Sequence, residues 1–132
     1  MGLTEEERKS VVDYRLKKAK ETFAEVAVQM ENNLFRTAAN RLYYACYYAT
    51  TALLVKDCHD AHTHSGVKTL LGLHYVNSNK IEKSLAKMYG LLFNLRQSSD
   101  YEDWITIDEE DIQPFLEPAA KFIAEIENLL KN

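Results

Sequence analysis

Residues 89–100 include side chains well suited to binding an anion. Tyr89, Phe93, Arg96 and Asp100 are spaced i, i+4, i+7 and i+11, so they share one face of a helix. A guanidinium beside aromatic rings, with a carboxylate one turn away, can bind a phosphate through two hydrogen bonds. A structural interpretation also fits, in which Arg96 and Asp100 form an i, i+4 ion pair worth about 0.2–0.5 kcal/mol. The sequence leaves both interpretations open.

Basic and aromatic side chains are also interleaved between Phe35 and Val55. Arg41, Tyr44 and Tyr48 share one flank of a helix, and Asn40 precedes Arg41. Such an arrangement can stack nucleic-acid bases and neutralise phosphates. Alternatively, the tyrosines belong to the core with their hydroxyls at its rim. A buried Arg41 would then need an acidic partner, and Asp100 is one candidate.

The loop from Cys58 to His64, CHDAHTH, concentrates residue types that bind metals. Its spacing matches no standard zinc pattern, and a structural zinc site would need further ligands from elsewhere in the chain. The sequence therefore favours an ordinary solvated loop with no metal. His64 stands beside the start of the next predicted helix and can orient a neighbouring group. The chain also lacks GxxxxGK[ST], GxGxxG, HExxH and nucleophile-elbow motifs, and we expect no cofactor.

Hydrophobic periodicity predicts that helices position all of these residues. Apolar stripes with 3.6-residue spacing predict helices over residues 5–31, 34–56 and 80–99, a short helix from Ser65, and a last helix beginning after Thr106 or Asp108. Thr4 and Glu7 form a capping-box signature. Ser78 or Asn79 is the predicted cap of the fourth helix. The alanines at 38, 45 and 52 allow a neighbouring helix to approach the second one closely.

These elements predict an all-α, antiparallel up-and-down bundle of four long helices and one short helix, in one domain spanning residues 1–132. Pro118 is expected to kink or restart the last helix, because proline removes a backbone hydrogen bond. The second helix is apolar or aromatic on nearly every side, so we expect it at the centre of the bundle.

The overall charge limits the classes of partner. The chain has 20 acidic and 16 basic residues and a net charge of -4, which argues against a broad nucleic-acid-binding surface but permits a local basic site. No window of 18 apolar residues predicts a membrane span. The two cysteines do not suggest a disulfide, so a reducing, cytoplasmic compartment is expected.

Three segments together resemble the HEPN family of small helical domains: RTAANRLYYACYYATTALL, HSGVKTLLGLHYV and YGLLFNLRQSSDY. The resemblance covers residues 35–130 and is strongest to an uncharacterised branch with an N-R-x-Y-Y-A core and an R-x4-Y ending. It implies an all-α fold, commonly a homodimer, often encoded beside a minimal nucleotidyltransferase in a toxin–antitoxin pair. Active members of the family are metal-independent endoribonucleases that use R-x4–6-H, with the arginine and histidine of two protomers facing each other.

Residue by residue, Arg96 matches the family's motif arginine, whereas Tyr101 stands where a histidine would be expected. Tyrosine, with a reference pKa of about 10, is poorly suited to proton transfer at neutral pH. His64 can supply an imidazole only if folding or dimerisation brings it to Arg96.

We therefore expect a protein that binds RNA or a nucleotide and that is the toxin-like half of a toxin–antitoxin pair. The expected site residues are Arg96, Tyr101, Arg41, Asn40, Tyr44, Asp100 and His64. The alternative is a non-catalytic module that binds a partner protein through exposed tyrosines and Trp104.

Overall fold

Helix α2, Phe35–Lys56, is the centre of the bundle. The structure, a computed structural model, describes residues 2–131 and is built from α1 (Glu5–Glu31), α2, α3 (His64–Leu71), α4 (Lys83–Tyr101) and α5 (Glu109–Leu130). The described residues contain no strand. Helix α2 packs against each of the other four helices. The predicted all-α bundle of four long helices and one short helix is confirmed.

The alanine stripe of α2 lies in the core of the bundle. Ala38, Ala45 and Ala52 are fully buried, and their small side chains allow close packing of neighbouring helices. The predicted capping box of α1 is present, with the Thr4 hydroxyl accepting from the Glu7 amide at 3.1 Å and the Glu7 carboxylate accepting from the Thr4 amide at 2.8 Å. Asn33, at φ 57°, then reverses the chain in a left-handed conformation that asparagine tolerates.

Two predicted helix starts were wrong. Helix α3 begins at His64, capped by the Thr63 hydroxyl, which accepts from the Gly66 amide at 2.8 Å, rather than by Ser65. Helix α4 begins at Lys83 rather than Lys80. Ser78 cannot cap it, because its hydroxyl donates to the His74 carbonyl at 2.8 Å.

The connection between α3 and α4 also contains a feature that the periodicity did not predict. A π-helical segment, Gly72–Val76, continues directly from α3. It places Tyr75 in the core, where its side chain is 1% exposed. Asn79, at φ 62°, then takes the left-handed conformation rather than serving as a helix cap.

Helix α5 is continuous through Pro118, so it does not restart there, and the alternative of a kink stays a prediction. Of the two predicted caps, Thr106 and Asp108, the structure uses Asp108, which forms a capping box with Asp111. Proline at 118 removes one backbone donor, but the face beyond it carries Phe122 and Ile126, both fully buried. Burial of this face offsets the missing hydrogen bond. Within the described residues, no helix combines the length and apolar character needed to cross a membrane.

Candidate functional site

Three cationic or titratable side chains converge on the ring of Tyr44. The guanidinium carbons of Arg41 and Arg96 lie 5.2 Å and 5.6 Å from the ring centroid. The imidazole of His64 lies 5.7 Å from the same centroid, nearly perpendicular to the tyrosine ring. We call Arg41, Tyr44, His64 and Arg96 the Tyr44 cluster. It joins helices α2, α3 and α4 at one face of the bundle.

Local structure fixes each member of the cluster. Arg41 and Tyr44 are one turn apart on α2, so they project from the same flank. His64 is the first residue of α3 and is positioned by the Thr63 cap. Arg96 projects from the inner face of α4, one turn from Phe93, whose ring centroid lies 5.9 Å from the guanidinium carbon.

Arg96 lies beneath the other members. It is only 6% exposed, and its guanidinium carbon sits 4.7 Å from the centroid of the buried Tyr43 ring. One terminal nitrogen donates to Asp100 Oδ2 at 3.2 Å, and Nε has no hydrogen-bond partner among the described residues. Burial alone would lower the pKa of Arg96, but the hydrogen bond to Asp100 and the neighbouring tyrosines raise it overall. The guanidinium is therefore charged but incompletely paired.

The intrahelical Arg96–Asp100 pair of the structural interpretation is thus present. Its length exceeds the ~2.7–2.9 Å of a strong charge-assisted hydrogen bond. The Asp100 side chain is 27% exposed, so water already competes for it. Arg96 and Asp100 therefore do not form a short ion pair that is closed off from solvent.

Asp100, the candidate partner named for Arg41, does not pair with it directly, because Asn40 lies between them. Arg41 donates to Asn40 Oδ1 from Nη2 at 2.7 Å and from Nε at 3.0 Å. The amide nitrogen of Asn40 in turn lies 3.3 Å and 3.4 Å from the two carboxylate oxygens of Asp100. Among the described residues, no carboxylate pairs with Arg41, so its charge is available to a ligand.

Folding brings His64 and Arg96 to the same two tyrosine rings, Tyr43 and Tyr44, within one chain. His64 Nδ1 lies 2.8 Å from the Tyr43 hydroxyl, and the imidazole packs 4.5 Å from the ring of Tyr47. The same Tyr43 ring that contacts Arg96 therefore holds His64. Burial, with a smaller contribution from the positive charge of Arg96, lowers the pKa of His64. The imidazole is neutral near pH 7 and can accept a proton.

Tyr43 contacts both His64 and Arg96, but it is absent from the site residues predicted from the sequence. It is fully buried, and burial raises its pKa to about 12. A buried tyrosine hydroxyl normally finds a polar partner. The need of the buried Tyr43 hydroxyl for a hydrogen-bond partner was therefore the one feature that could have pointed to this residue.

Tyr101 is not brought to the cluster. Five residues along a helix turn it by a net ~140°, so Tyr101 projects from a different side of α4 than Arg96. It is 73% exposed and borders a groove of about 440 Å³ with Asn94, Gln97, Ser98 and Glu102. Its predicted catalytic role stays a prediction.

The Cys58–His64 loop divides its side chains among separate contacts. His59 stacks on His74 with ring centroids 3.8 Å apart, and Asp60 lies 3.4 Å from His62 at the surface. Among the described residues, no three histidine, cysteine or acidic side chains converge in a group able to hold a metal ion.

Known proteins resemble this chain in sequence and in fold. The sequence model of the HEPN domain family matches residues 12–129 of this chain. A Thermotoga maritima protein named "UPF0332 protein" is 29% identical over 126 residues, covering 96% of each chain. A Methanocaldococcus jannaschii protein named "Putative toxin MJ0605" is 32% identical over 116 residues, covering 86% of this chain and 84% of the relative.

A solved structure shares the fold. The crystal structure of TT1696 from Thermus thermophilus aligns with a TM-score of 0.75 at 16% identity, covering 89% of this chain and 96% of that one. This likeness concerns the arrangement of helices. The family match, which extends over most of the chain, confirms the resemblance found in the sequence: the protein belongs to the HEPN domain family.

Proposed function

We propose that the Tyr44 cluster binds RNA, and that the protein acts as the toxin-like half of a toxin–antitoxin pair. The observation that carries the proposal is the convergence of two guanidiniums and an imidazole on one tyrosine ring. Among the described residues, Asp100 is the only carboxylate bonded to them, and Arg96 Nε is unpaired. A buried donor without a partner costs free energy, so a site that keeps one is a candidate for ligand binding. Toxin-like naming of two relatives supports the biological role.

The arrangement suits a phosphate next to a base. Arg41, Tyr44 and His64 are half-buried, so a ligand meets them first. Arg96 lies below and contributes positive charge in a region of low dielectric, where electrostatic attraction is stronger than in water. Tyrosine rings supply stacking surfaces that tolerate any base. Displacement of the partly exposed Asp100 side chain would free a further donor of Arg96.

The test is binding of a 5′-fluorescein-labelled oligouridylate 12-mer, followed by fluorescence anisotropy at fixed low salt. Arg96→Met and Arg41→Gln are each expected to weaken binding about tenfold or more, because each removes a charge-assisted contact of ~1.5–3 kcal/mol. The matched control is Lys87→Gln, which removes the same charge from α4. Lys87 is exposed and lies nine residues before Arg96, on the opposite side of that helix.

Salt dependence provides an independent readout. Phosphate contacts weaken steeply with salt, at a slope of about -0.7 per contact for single strands. Binding by wild type that is insensitive both to salt and to Arg96→Met would remove the proposal.

His64 favours a second candidate activity, metal-independent cleavage of RNA. The neutral imidazole can accept the proton of a ribose 2′-hydroxyl while that oxygen attacks the adjacent phosphorus. The bond from phosphorus to the 5′-oxygen then breaks, and the leaving oxygen takes a proton from water. The products are a 2′,3′-cyclic phosphate and a 5′-hydroxyl end. Cleavage of the labelled 12-mer by wild type, lost in both His64→Asn and Arg96→Met, would establish this activity; equal cleavage by all three proteins would remove it.

The end of α4 favours a third candidate role, protein binding. Tyr101 and Trp104 are 73% and 80% exposed within four residues of each other. Exposed aromatic residues of this kind are typical anchors of protein interfaces. A second copy of this chain, giving a homodimer, or a minimal nucleotidyltransferase would suit this surface. Loss of dimerisation or of co-purification in Trp104→Ala, with RNA affinity unchanged, would assign this surface to protein binding.

A further inference from the structure

A second basic and aromatic groove lies directly beside the Tyr44 cluster, between α1 and α2. It has a volume of about 350 Å³, within the ~300–1,000 Å³ range of ligand sites. The groove is lined by Tyr14, Arg15, Lys18, Tyr47, Tyr48 and Thr51. These six lining residues include two cations, three tyrosines and no carboxylate. In a chain of net charge -4, such a composition is a local exception.

The groove and the Tyr44 cluster share a wall of aromatic rings. Tyr47 borders the groove and also packs 4.5 Å from the imidazole of His64. Tyr48 borders the groove and lies 5.9 Å from Tyr44, centroid to centroid. The groove and the Tyr44 cluster therefore adjoin at Tyr47 and Tyr48.

The spacing of these residues gives the surface a direction and a length. Arg41, Tyr44, Tyr48 and Thr51 are spaced three, four and three residues apart, so they form one stripe along α2. The stripe extends over ten residues, or about 15 Å at 1.5 Å per residue. This length exceeds what one nucleotide needs and suits several consecutive nucleotides.

The cations of α1 are positioned along this stripe. The Lys18 ammonium lies 5.9 Å from the centroid of the Tyr48 ring. Arg15 lines the groove together with Tyr47. Burial raises the pKa of Tyr47, and the charge of Arg15 opposes that increase. Tyr14 is 63% exposed and presents a free ring at the outer edge of the groove.

We propose that an RNA strand bound at the Tyr44 cluster continues along α2 into this groove, where Arg15 and Lys18 contact its phosphates and Tyr14 stacks on a base. The inference rests on the proposed function and deepens it, because it identifies the ligand as single-stranded RNA of several nucleotides rather than a mononucleotide. Alternating cations and exposed rings are the usual means by which proteins hold a single strand without reading its sequence. The double helix, with its bases stacked inside, could not use the Tyr14 ring in this way.

The test varies two things, the length of the RNA probe and the position at which positive charge is removed from the protein. Anisotropy is measured with 5′-fluorescein-labelled oligouridylates of two and twelve nucleotides, with uridine monophosphate as competitor. The variant Arg15→Gln/Lys18→Gln is expected to weaken binding of the 12-mer about tenfold and to reduce its salt slope by about 1.4, at about 0.7 per phosphate. It should leave binding of the dinucleotide within about twofold of wild type, because a short probe reaches only the Tyr44 cluster.

The matched control is Lys9→Gln/Lys17→Gln, which removes the same total charge from exposed positions of α1. Equal affinity of this control and of Arg15→Gln/Lys18→Gln for the 12-mer would overturn the inference. Weakening of both probes by Arg96→Met would meanwhile leave the proposed function standing. If Arg96→Met changes neither probe, the Tyr44 cluster is not the RNA site, and both proposals are overturned. Displacement of the 12-mer by an equal concentration of uridine monophosphate would also overturn the inference, since the additional nucleotides of the 12-mer would then add nothing to its affinity.

Discussion

Helix α2 carries a polar cluster toward each of its ends, and the two clusters differ in how well their polar groups are paired. Toward the C-terminal end, the buried Tyr75 hydroxyl donates to Asp57 Oδ2 at 2.6 Å and lies 3.4 Å from the Leu53 carbonyl oxygen. Toward the N-terminal half, Arg96 makes one long bond to Asp100 and leaves Nε unpaired among the described residues. Both sites bury a polar group, but only the first satisfies it.

This difference separates a structural role from a functional one. A buried hydroxyl with a short hydrogen bond to a carboxylate stabilises the fold. The desolvation of an incompletely paired guanidinium costs free energy that its hydrogen bonds do not fully offset. Burial and the bond to Asp57 both raise the pKa of Tyr75, so it stays protonated throughout the physiological range. The Tyr44 cluster instead keeps a neutral imidazole and two cations side by side. We therefore expect substitutions at the two clusters to have opposite effects on stability and on RNA binding.

The largest effect on stability is expected from Tyr75→Phe. Removing a buried hydroxyl that donates to a charged acceptor should lower the free energy of unfolding by about 1.5–3 kcal/mol, while RNA affinity stays unchanged. Chemical denaturation monitored by circular dichroism measures the first quantity. Tyr14→Phe, at an exposed position, is the matched control and should leave stability unaltered. If Tyr75→Phe is as stable as this control, the hydrogen bond from Tyr75 to Asp57 does not stabilise the fold, and the contrast between the two clusters fails.

Arg96→Met tests the opposite behaviour at the Tyr44 cluster. The variant should retain the free energy of unfolding to within about 1 kcal/mol, because an apolar side chain of similar length removes the desolvation cost and the partly exposed Asp100 can be hydrated. RNA affinity should fall in the same protein. The same denaturation and anisotropy measurements apply. A loss of stability as large as that of Tyr75→Phe would mean that Arg96 is a structural residue.

The fold could be predicted from the sequence more fully than the site could. The apolar stripes and the alanine stripe of α2 specify packing by local periodicity, which is why four long helices and their order were predictable. The π-helical segment after α3 was not predictable in this way, because the apolar pattern of α3 continues to Tyr75 and does not distinguish π-helical from α-helical turns. The start of α4 was misplaced for a related reason: Ser78 had the right chemistry for a cap, but its hydroxyl is used by the preceding turn.

The site residues were found only in part, because their contacts are non-local. Periodicity placed Arg96 and Asp100 on one face of α4, and the Arg96–Asp100 bond follows directly from that i, i+4 spacing. Nothing local indicated that Asn40 would separate Arg41 from Asp100, or that His64 would meet the Tyr43 hydroxyl 21 positions away in sequence. Such pairs depend on how helices pack against one another, which single-helix patterns do not specify.

The pH dependence of stability gives a further test of the Tyr44 cluster, because His64 is a titratable member of it. Its pKa is lowered in the folded protein, so the unfolded chain binds the proton more readily as pH falls. The corresponding stability is present above the reference pKa of about 6.5 and is lost progressively below it. Wild type should therefore lose more stability between pH 7.5 and pH 5 than His64→Asn, in which the amide cannot titrate in this range. Parallel losses in the two proteins, measured by denaturation at each pH, would contradict the role assigned to this imidazole.

The smallest effect is expected from His59→Asn, near the well-paired cluster. His59 stacks on His74 at 3.8 Å and meets the Tyr75 ring edge to face at 6.2 Å, so it resembles His64 in having aromatic neighbours. Losing the stacking contact should cost about 0.5 kcal/mol, the lower end for such pairs. RNA affinity, measured by anisotropy, should not change, because no guanidinium shares that ring system among the described residues. A fall in affinity as large as that of Arg96→Met would contradict the comparison, because RNA binding would then depend on the well-paired cluster as well.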